Sequence, residues 1–288
     1  MEAKYEVATL EEYGYKDRKV LKKILKILNM VLVVGIIFLL YLPILVIAIQ
    51  SVNKSNDLSV FSEISFDSYI YMFRDRMFAN AVRNTLFVTI VSTLLATIFG
   101  TLIAVGINSL NKKPRQKIIL LNNIPLLNAD IVTGISLMLV FSLFLPIFPY
   151  LFGLPTLILA HLFFTLPYVI LSVLPKLKEI DPNTMDAAVD LGVKPYRAIY
   201  KVIVPAIKSG ILSGMLLAFT ISIDDFVVSY FTSGNGYDNL SIWIYSSIGK
   251  KSLNPAVYAF STVLTLGTFI ILLVVYNLNK KKAHKNGK

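Results

Sequence analysis

Two long intervals of this 288-residue chain hold no charged residue, Lys26 to Lys54 and Arg83 to Lys112. Each exceeds the roughly 20 residues that an α-helix needs to cross hydrocarbon. Backbone in that medium must satisfy its own polar groups, so both intervals are read as membrane-spanning helices. After Lys117 the chain stays apolar to Lys176 except for Asp130. Pro146, Pro149, Gly153 and Pro155 divide that stretch into a third and a fourth span joined by a tight turn. Apolar segments at 209–232 and 255–278 supply a fifth and a sixth. The expected fold class is therefore all-α, a six-helix membrane bundle. A soluble enzyme is excluded, because hydrophobic residues make up 56% of the chain and charged ones 16%, against about 25% charged in soluble domains. Cysteine is absent, which removes disulfides, thiolate metal sites and a cysteine nucleophile.

The net charge of +11 is a matter of topology. With both termini cytoplasmic, 22 of the 28 Lys and Arg fall on the inner side of the six spans and 6 on the outer side, the positive-inside asymmetry. No basic segment interleaves with aromatics as base stacking requires, so nucleic acid is not an expected partner. Arg18 to Lys26 reads as an amphipathic interfacial helix leading into the first span, and not as a cleaved signal. The expected division is a basic amphipathic segment at 1–27, a first transmembrane helix at 28–53 and an extracytoplasmic loop at 54–79 carrying Asp57, Glu63, Asp67 and Asp75. A transmembrane core at 80–276 and a basic tail at 277–288 complete it.

The segment from Lys176 to Lys208 carries its own helix signals. Asp181 before Pro182 reads as an N-cap with proline at the first helical position, and Gly192 as the residue that ends the helix in a left-handed conformation. Pro195 opens a second helix in which Tyr196, Ile199, Tyr200 and Ile203 recur at helical spacing, and Pro205 is expected to stop it. Spacing alone leaves two readings open, a docking element or an amphipathic pair lying on lipid headgroups.

Asp186-Ala187-Ala188, then Gly192 after three residues, then Val202-Ile203-Val204-Pro205 after nine more, closely resembles the EAA loop of the membrane subunits of type I ATP-binding-cassette importers. The family pattern is Glu-Ala-Ala, three residues, Gly, nine residues, Ile-x-Leu-Pro, so Asp186 and Val204 are conservative departures. The resemblance implies that this loop inserts into a separate ATP-hydrolysing subunit, with Asp186, Ala187, Ala188, Gly192 and Pro205 carrying the coupling. No G-x-x-x-x-G-K-[ST] phosphate loop occurs in the chain, in keeping with a motor on another polypeptide.

Of 17 acidic residues, only Asp130, Asp224 and Asp225 fall within spans. Each costs about 2.5–3.5 kcal/mol on an insertion scale, and no Lys or Arg lies at comparable depth, so a polar pathway is the expectation. On a continuous fifth helix, Ser222, Asp225, Ser229 and Thr232 would form one stripe with Asp224 about 100° away. In the third span Asn123, Asp130 and Thr133 would share a face, with Pro125 and Gly134 interrupting ideal packing. Adjacent carboxylates raise each other's proton affinity unless a cation sits near them. A multivalent cation relieves that repulsion, since an ammonium about 4 Å from a carboxylate gains about 4 kcal/mol at an effective dielectric near 20, against about 1 in bulk water.

Polyamines fit this physics, and Leu217 to Val227 is similar to the signature of spermidine and putrescine importer permeases, in particular the second of their two membrane subunits. Ile131 to Leu137 and the region from His161 through Val169 carry the same likeness. The resemblance implies partners: a related permease subunit, ATP-binding-cassette ATPase subunits and an extracytoplasmic polyamine-binding protein, in a bacterial cell membrane. Asp225, Asp224 and Ser222 are expected to line the path, with Asp130 assisting. No catalytic residue, metal or cofactor is expected, since the scattered Ser and two separated His assemble neither nucleophile and base nor metal cluster. A permease for another small solute and a passive channel are the alternatives. His161 reads as a packed, hydrogen-bonded histidine, Tyr168, Trp243 and Tyr245 as an interfacial aromatic belt, and Gly210, Gly214 and Ala218 as a close-packing face.

Overall fold

The structure is a computed structural model that describes residues 2–55, 60–181, 183–234, 236–248 and 254–286. Pro182 and Asp57 lie outside the described residues. The described chain is helical, with one isolated bridge between Asn53 and Ile64. It divides into two units, 1–74 with 252–288, and 75–251.

In the first unit α1 (Glu2–Ser51) and α2 (Asp67–Arg74) both pack against α13 (Pro255–Asn286). The loop after α1 folds around Asn53, whose amide donates to the Val60 carbonyl at 2.8 Å and whose Oδ1 accepts from the Ser62 backbone at 3.1 Å. Lys22–Ser51 is long and apolar enough to cross a membrane, and no residue of its most apolar window is buried in the isolated chain. Such a surface suits lipid or another apolar helix.

The second unit is built on α3 (Arg76–Ser109), α6 (Leu154–Lys178) and α10 (Lys208–Ile223), which pack on one another. Asp75 caps α3, accepting from the Met77 and Phe78 amides at 2.8 and 3.3 Å. Ala96, Val169, Val173 and Ala218 form the seam among these helices, all fully buried. A Cβ on Gly214 would stand 3.0 Å from Val169 Cα, so a small residue is required where α10 crosses α6. Both α3 and α6 are long and apolar enough to span a membrane.

The segments read from the sequence as the third and fifth spans depart from the continuous helices expected. The third is α4 (Lys112–Leu127) followed by α5 (Asp130–Ser142), bent by 105°. Asn128 and Ala129 are extended between them, so Asn123 belongs to a different helix from Asp130 and Thr133 and does not share their face. The fifth ends as α10 at Ile223 and restarts as the short α11 (Val227–Thr232). The single stripe expected from Ser222 to Thr232 is therefore divided between two helices, with Asp224 and Asp225 in the gap.

The cytoplasmic-loop signals resolve into α7 (Asn183–Asp190) and α8 (Pro195–Ala198), a π-turn at Ile199–Ile203, and α9 (Val204–Ala206). Asp181 caps α7 through the Asn183 amide at 2.9 Å. Gly192 has a φ of +81°, and the bonds from Gly192 to the Val189 carbonyl and from Val193 to the Ala188 carbonyl close a Schellman turn. Pro205 does not stop the second helix as expected. The π-turn upstream widens the backbone, Val204 donates to Ile199, and helical geometry runs through Pro205 to Ala206 before a 75° bend into α10. Ala198, Ile203 and Ile207 are buried, whereas Tyr196 and Tyr200 are exposed, so only part of the predicted stripe packs inward. A further helix, α12 (Leu240–Ile248), lies between the apolar segments 209–232 and 255–278.

Candidate functional site

The two breaks lie against one cavity of about 310 Å3 in the second unit. Its lining brings together Asp130 at the start of α5 with Asp224 and Asp225 in the gap between α10 and α11. Phe164, Tyr168 and Phe226 supply aromatic surface, Asn128 and Thr133 supply neutral polar groups, and among the described residues no Lys or Arg contributes to the lining. Gly134 permits the approach of α5 to α11, since a Cβ there would stand 2.9 Å from the Phe231 ring and 3.3 Å from the Val227 carbonyl.

The break gives Asp225 what an intact helix withholds. All interior amides of a helix are committed to carbonyls one turn back, whereas the first turn leaves its amides free. Asp225 uses that freedom: its Oδ2 accepts from the Ser229 amide and the Ser229 hydroxyl, both at 2.7 Å, and its Oδ1 accepts from the Val228 amide at 3.3 Å. The Asn239 amide donates to the Asp225 carbonyl at 3.0 Å, and Asn239 Oδ1 accepts from the Ile242 amide, capping α12. Asp224 and Asp130 are exposed toward the cavity, whereas Asp225 is mostly buried.

Ser222 does not line this cavity. It is fully buried behind Asp225, where its hydroxyl lies 2.7 Å from His161 Nδ1 and 3.3 Å from Ser92 Oγ. His161 Nε2 lies 2.9 Å from Ser229 Oγ and 3.8 Å from Asp225 Oδ2. The packed histidine read from the sequence thus belongs to the same cluster as the carboxylates. Tyr168 lines the cavity, and Trp243 is buried against Phe78 with ring centroids 5.3 Å apart, so Trp243 is packed inside the protein and not displayed at a surface as a belt residue would be. Tyr245 packs on Phe226, centroids 4.7 Å apart.

Sequence reasoning missed Asn239, Phe164 and Phe226. Asn239 carried a usable signal, a capping residue directly before the apolar run Leu240 to Trp243. The two phenylalanines carried no chemical signal of their own, although both lie in the runs, His161 to Val169 and Leu217 to Val227, that carry the family likeness.

The remaining predicted residues lie elsewhere in the second unit, at α7 and its turn. Ala187 and Gly192 are exposed, nothing lies within 4 Å of the position a Gly192 Cβ would take, and Leu191 is 85% exposed at the tip. Ala188 is buried beneath them, and Asp186 is carried on α7 with its side chain outside the described set. Pro205 is exposed on the second helix.

A family described as binding-protein-dependent transport system inner membrane component matches residues 22–284. The putrescine transport system permease protein PotI of Escherichia coli strain K12 is 31% identical over 231 residues, covering 79% of this chain and 82% of that protein. The spermidine/putrescine transport system permease protein PotC of Haemophilus influenzae is 30% identical over 234 residues, covering 81% and 89%. A solved bacterial transporter that imports the acidic polysaccharide alginate shares the fold, with a TM-score of 0.63 at 19% identity over 94% of this chain and 99% of that one.

Proposed function

This chain belongs to the binding-protein-dependent transport system inner membrane components, and from that membership we propose that it is the permease subunit of an ATP-driven importer for polyamines such as putrescine and spermidine. It is a multi-pass membrane component of a transport system and not an enzyme. The relatives named for putrescine and spermidine transport support the cargo class. The observation that carries the reading is the convergence of Asp130, Asp224 and Asp225 on one cavity whose lining, among the described residues, has no basic residue.

That arrangement is costly when empty and favourable when a cation enters. Helix N-termini stabilise an adjacent carboxylate by about 0.3–1 kcal/mol, reaching about 2 when partly buried, which offsets part of the insertion cost of Asp130 and Asp225. The remainder is available to a passing ammonium, worth about 4 kcal/mol per carboxylate contact at an effective dielectric near 20. A volume of about 310 Å3 stands at the small end of ligand sites, which span about 300–1,000 Å3, and suits a narrow aliphatic cargo. Phe164, Tyr168 and Phe226 offer apolar contact to methylene segments and ring faces to ammonium groups.

The small, exposed tip formed by Ala187, Leu191 and Gly192 supports insertion of the α7 turn into a separate ATPase subunit. Asp186 and Ala188 on α7 and Pro205 on the following helix are assigned to the same coupling unit. A related permease, an extracytoplasmic polyamine-binding protein and the bacterial inner membrane complete the assignment. Uptake of radiolabelled putrescine and spermidine by cells carrying the full transporter tests the reading. Asp225→Asn keeps a hydrogen-bond acceptor and removes the charge, so uptake is expected to fall by at least about tenfold, the equivalent of about 1.4 kcal/mol. Unchanged uptake would remove Asp225 from the path.

A further inference from the structure

Behind the cavity wall, four polar side chains from four helices meet: Ser92 on α3, His161 on α6, Ser222 on α10 and Ser229 on α11. All are buried, His161 with 2% exposure, and none of the four is part of the cavity lining. We infer that His161 is a positioning residue for transport, wired in one tautomer so that it holds the two halves of the broken fifth span together and turns Asp225 toward the cargo. This deepens the cargo path proposed above and rests on it.

The direction of each proton follows from counting donors and acceptors. Asp225 accepts at every bond its carboxylate makes, the pattern of an ionised acid. The Ser229 hydroxyl has one proton and gives it to Asp225 Oδ2 at 2.7 Å, so toward His161 Ser229 Oγ can only accept. His161 Nε2, 2.9 Å away, therefore carries a proton. At the other side of the ring, the Ser92 hydroxyl is committed to the Val88 carbonyl at 2.6 Å. The Ser222 proton then has His161 Nδ1 at 2.7 Å as its shorter acceptor and Ser92 Oγ at 3.3 Å as its longer one. The chain runs Ser222 to His161 to Ser229 to Asp225, every link donating in the same sense.

Two consequences bear on cargo. Oδ2 of Asp225 is saturated from the protein side, while Oδ1, with a single bond of 3.3 Å, is the oxygen left for an ammonium. The ring stays uncharged, so no internal cation competes with the cargo for Asp225, Asp224 or Asp130. Because Ser222 lies in the last turn of α10 and Ser229 in α11, the same two bonds to His161 also tie the segments across the gap.

The chain contains two histidines, His161 and His284, which makes the wiring directly observable. In the full-length protein within the assembled transporter, labelled with 15N-histidine and carrying His284→Gln, the nitrogen spectrum of His161 at neutral pH is expected to show the Nε2–H tautomer. The Nδ1–H tautomer, or an imidazolium, overturns the wiring whatever the cargo is. Putrescine uptake supplies the second measurement. His161→Gln presents a donor and an acceptor at a similar separation and is expected to keep uptake within about threefold of the parent, while His161→Leu loses at least about tenfold, the scale of leaving a buried hydroxyl without its partner. Equal uptake by the Leu variant, or a Gln variant no better than Leu, defeats the positioning role. If the parent imports no putrescine, the cargo reading fails instead, and the nitrogen spectrum still decides the wiring.

Discussion

Two apolar segments of equal length meet in the second unit and behave in opposite ways. Residues 154–178 contain Pro155, Pro167 and Pro175 yet form one helix, α6. Residues 208–232 contain no proline and break in the middle, at Asp224 and Asp225. Proline removes one donor and crowds one carbonyl, a local defect that neighbouring helices and hydroxyls can absorb in a membrane protein. A buried carboxylate needs donors, and a continuous helix has no amide to spare. His161, polar but neutral, sits within unbroken α6 because the hydroxyls of Ser222 and Ser229 satisfy both its nitrogens. Asp225 instead draws on the Val228 and Ser229 amides, which only a helix start can offer. The comparison teaches that intramembrane charge outranks proline in deciding where this chain breaks.

The largest expected effect comes from removing the demand that opens the gap. With Asp225→Leu, residues 208–232 are expected to close toward one helix and polyamine uptake to fall to background. The chain has no cysteine, so spin labels placed through Leu212→Cys and Tyr230→Cys, both exposed positions, report the change without competing sites. Eighteen residues of continuous helix span about 27 Å at about 1.5 Å per residue. The label separation should lengthen toward that value in the Leu variant and not in Asp225→Asn, which keeps an acceptor for the helix start. An unchanged separation in Asp225→Leu would break the comparison, leaving the gap to some cause other than the carboxylate.

A smaller effect tests where the two segments touch. Gly214→Val places a side chain 3.0 Å from Val169 Cα, backbone that cannot yield cheaply. Overpacking of this kind costs about 1–3 kcal/mol, so the melting temperature in detergent should drop. Because the contact lies one helical turn and more from the gap, cargo dependence should be unaffected in protein that remains folded.

Much of this was legible from the amino-acid sequence, and the boundary of legibility has a physical cause. The Asp181 cap and the Gly192 turn each express a local rule, and the structure carries them at the expected places. Asp130, Asp224 and Asp225 stood out because charge in an apolar run is rare, and they do converge on one cavity. Periodicity could not reveal the gap itself, since it assumes a continuous helix and is blind to which amides a carboxylate can reach. The same assumption put Ser222 on the path when it lies behind Asp225, and Asn123 on a face it does not share. Pro205 misled for a related reason, as a π-turn upstream absorbed a defect that a regular helix could not. Trp243 was read as interfacial because composition cannot show that Phe78 would cover it.

The smallest effect bears on the other half of the comparison, the indifference of α6 to its prolines. Pro175 is exposed, so Pro175→Ala leaves no void, and it restores an amide that can bond the Leu171 carbonyl. In the middle of an isolated helix the exchange would be worth about 3 kcal/mol. Here the helix already runs through the position to Lys178 with the proline in place. The unfolded chain also gains freedom when the ring is removed, which offsets part of the gain. The net stabilisation is therefore expected below about 1 kcal/mol, a rise of about 2–4 °C at most in the melting temperature, with uptake unchanged. A variant that lost transport while staying folded would show that Pro175 takes part in the transport cycle. The contrast between a tolerant fourth span and a charge-broken fifth would then no longer hold.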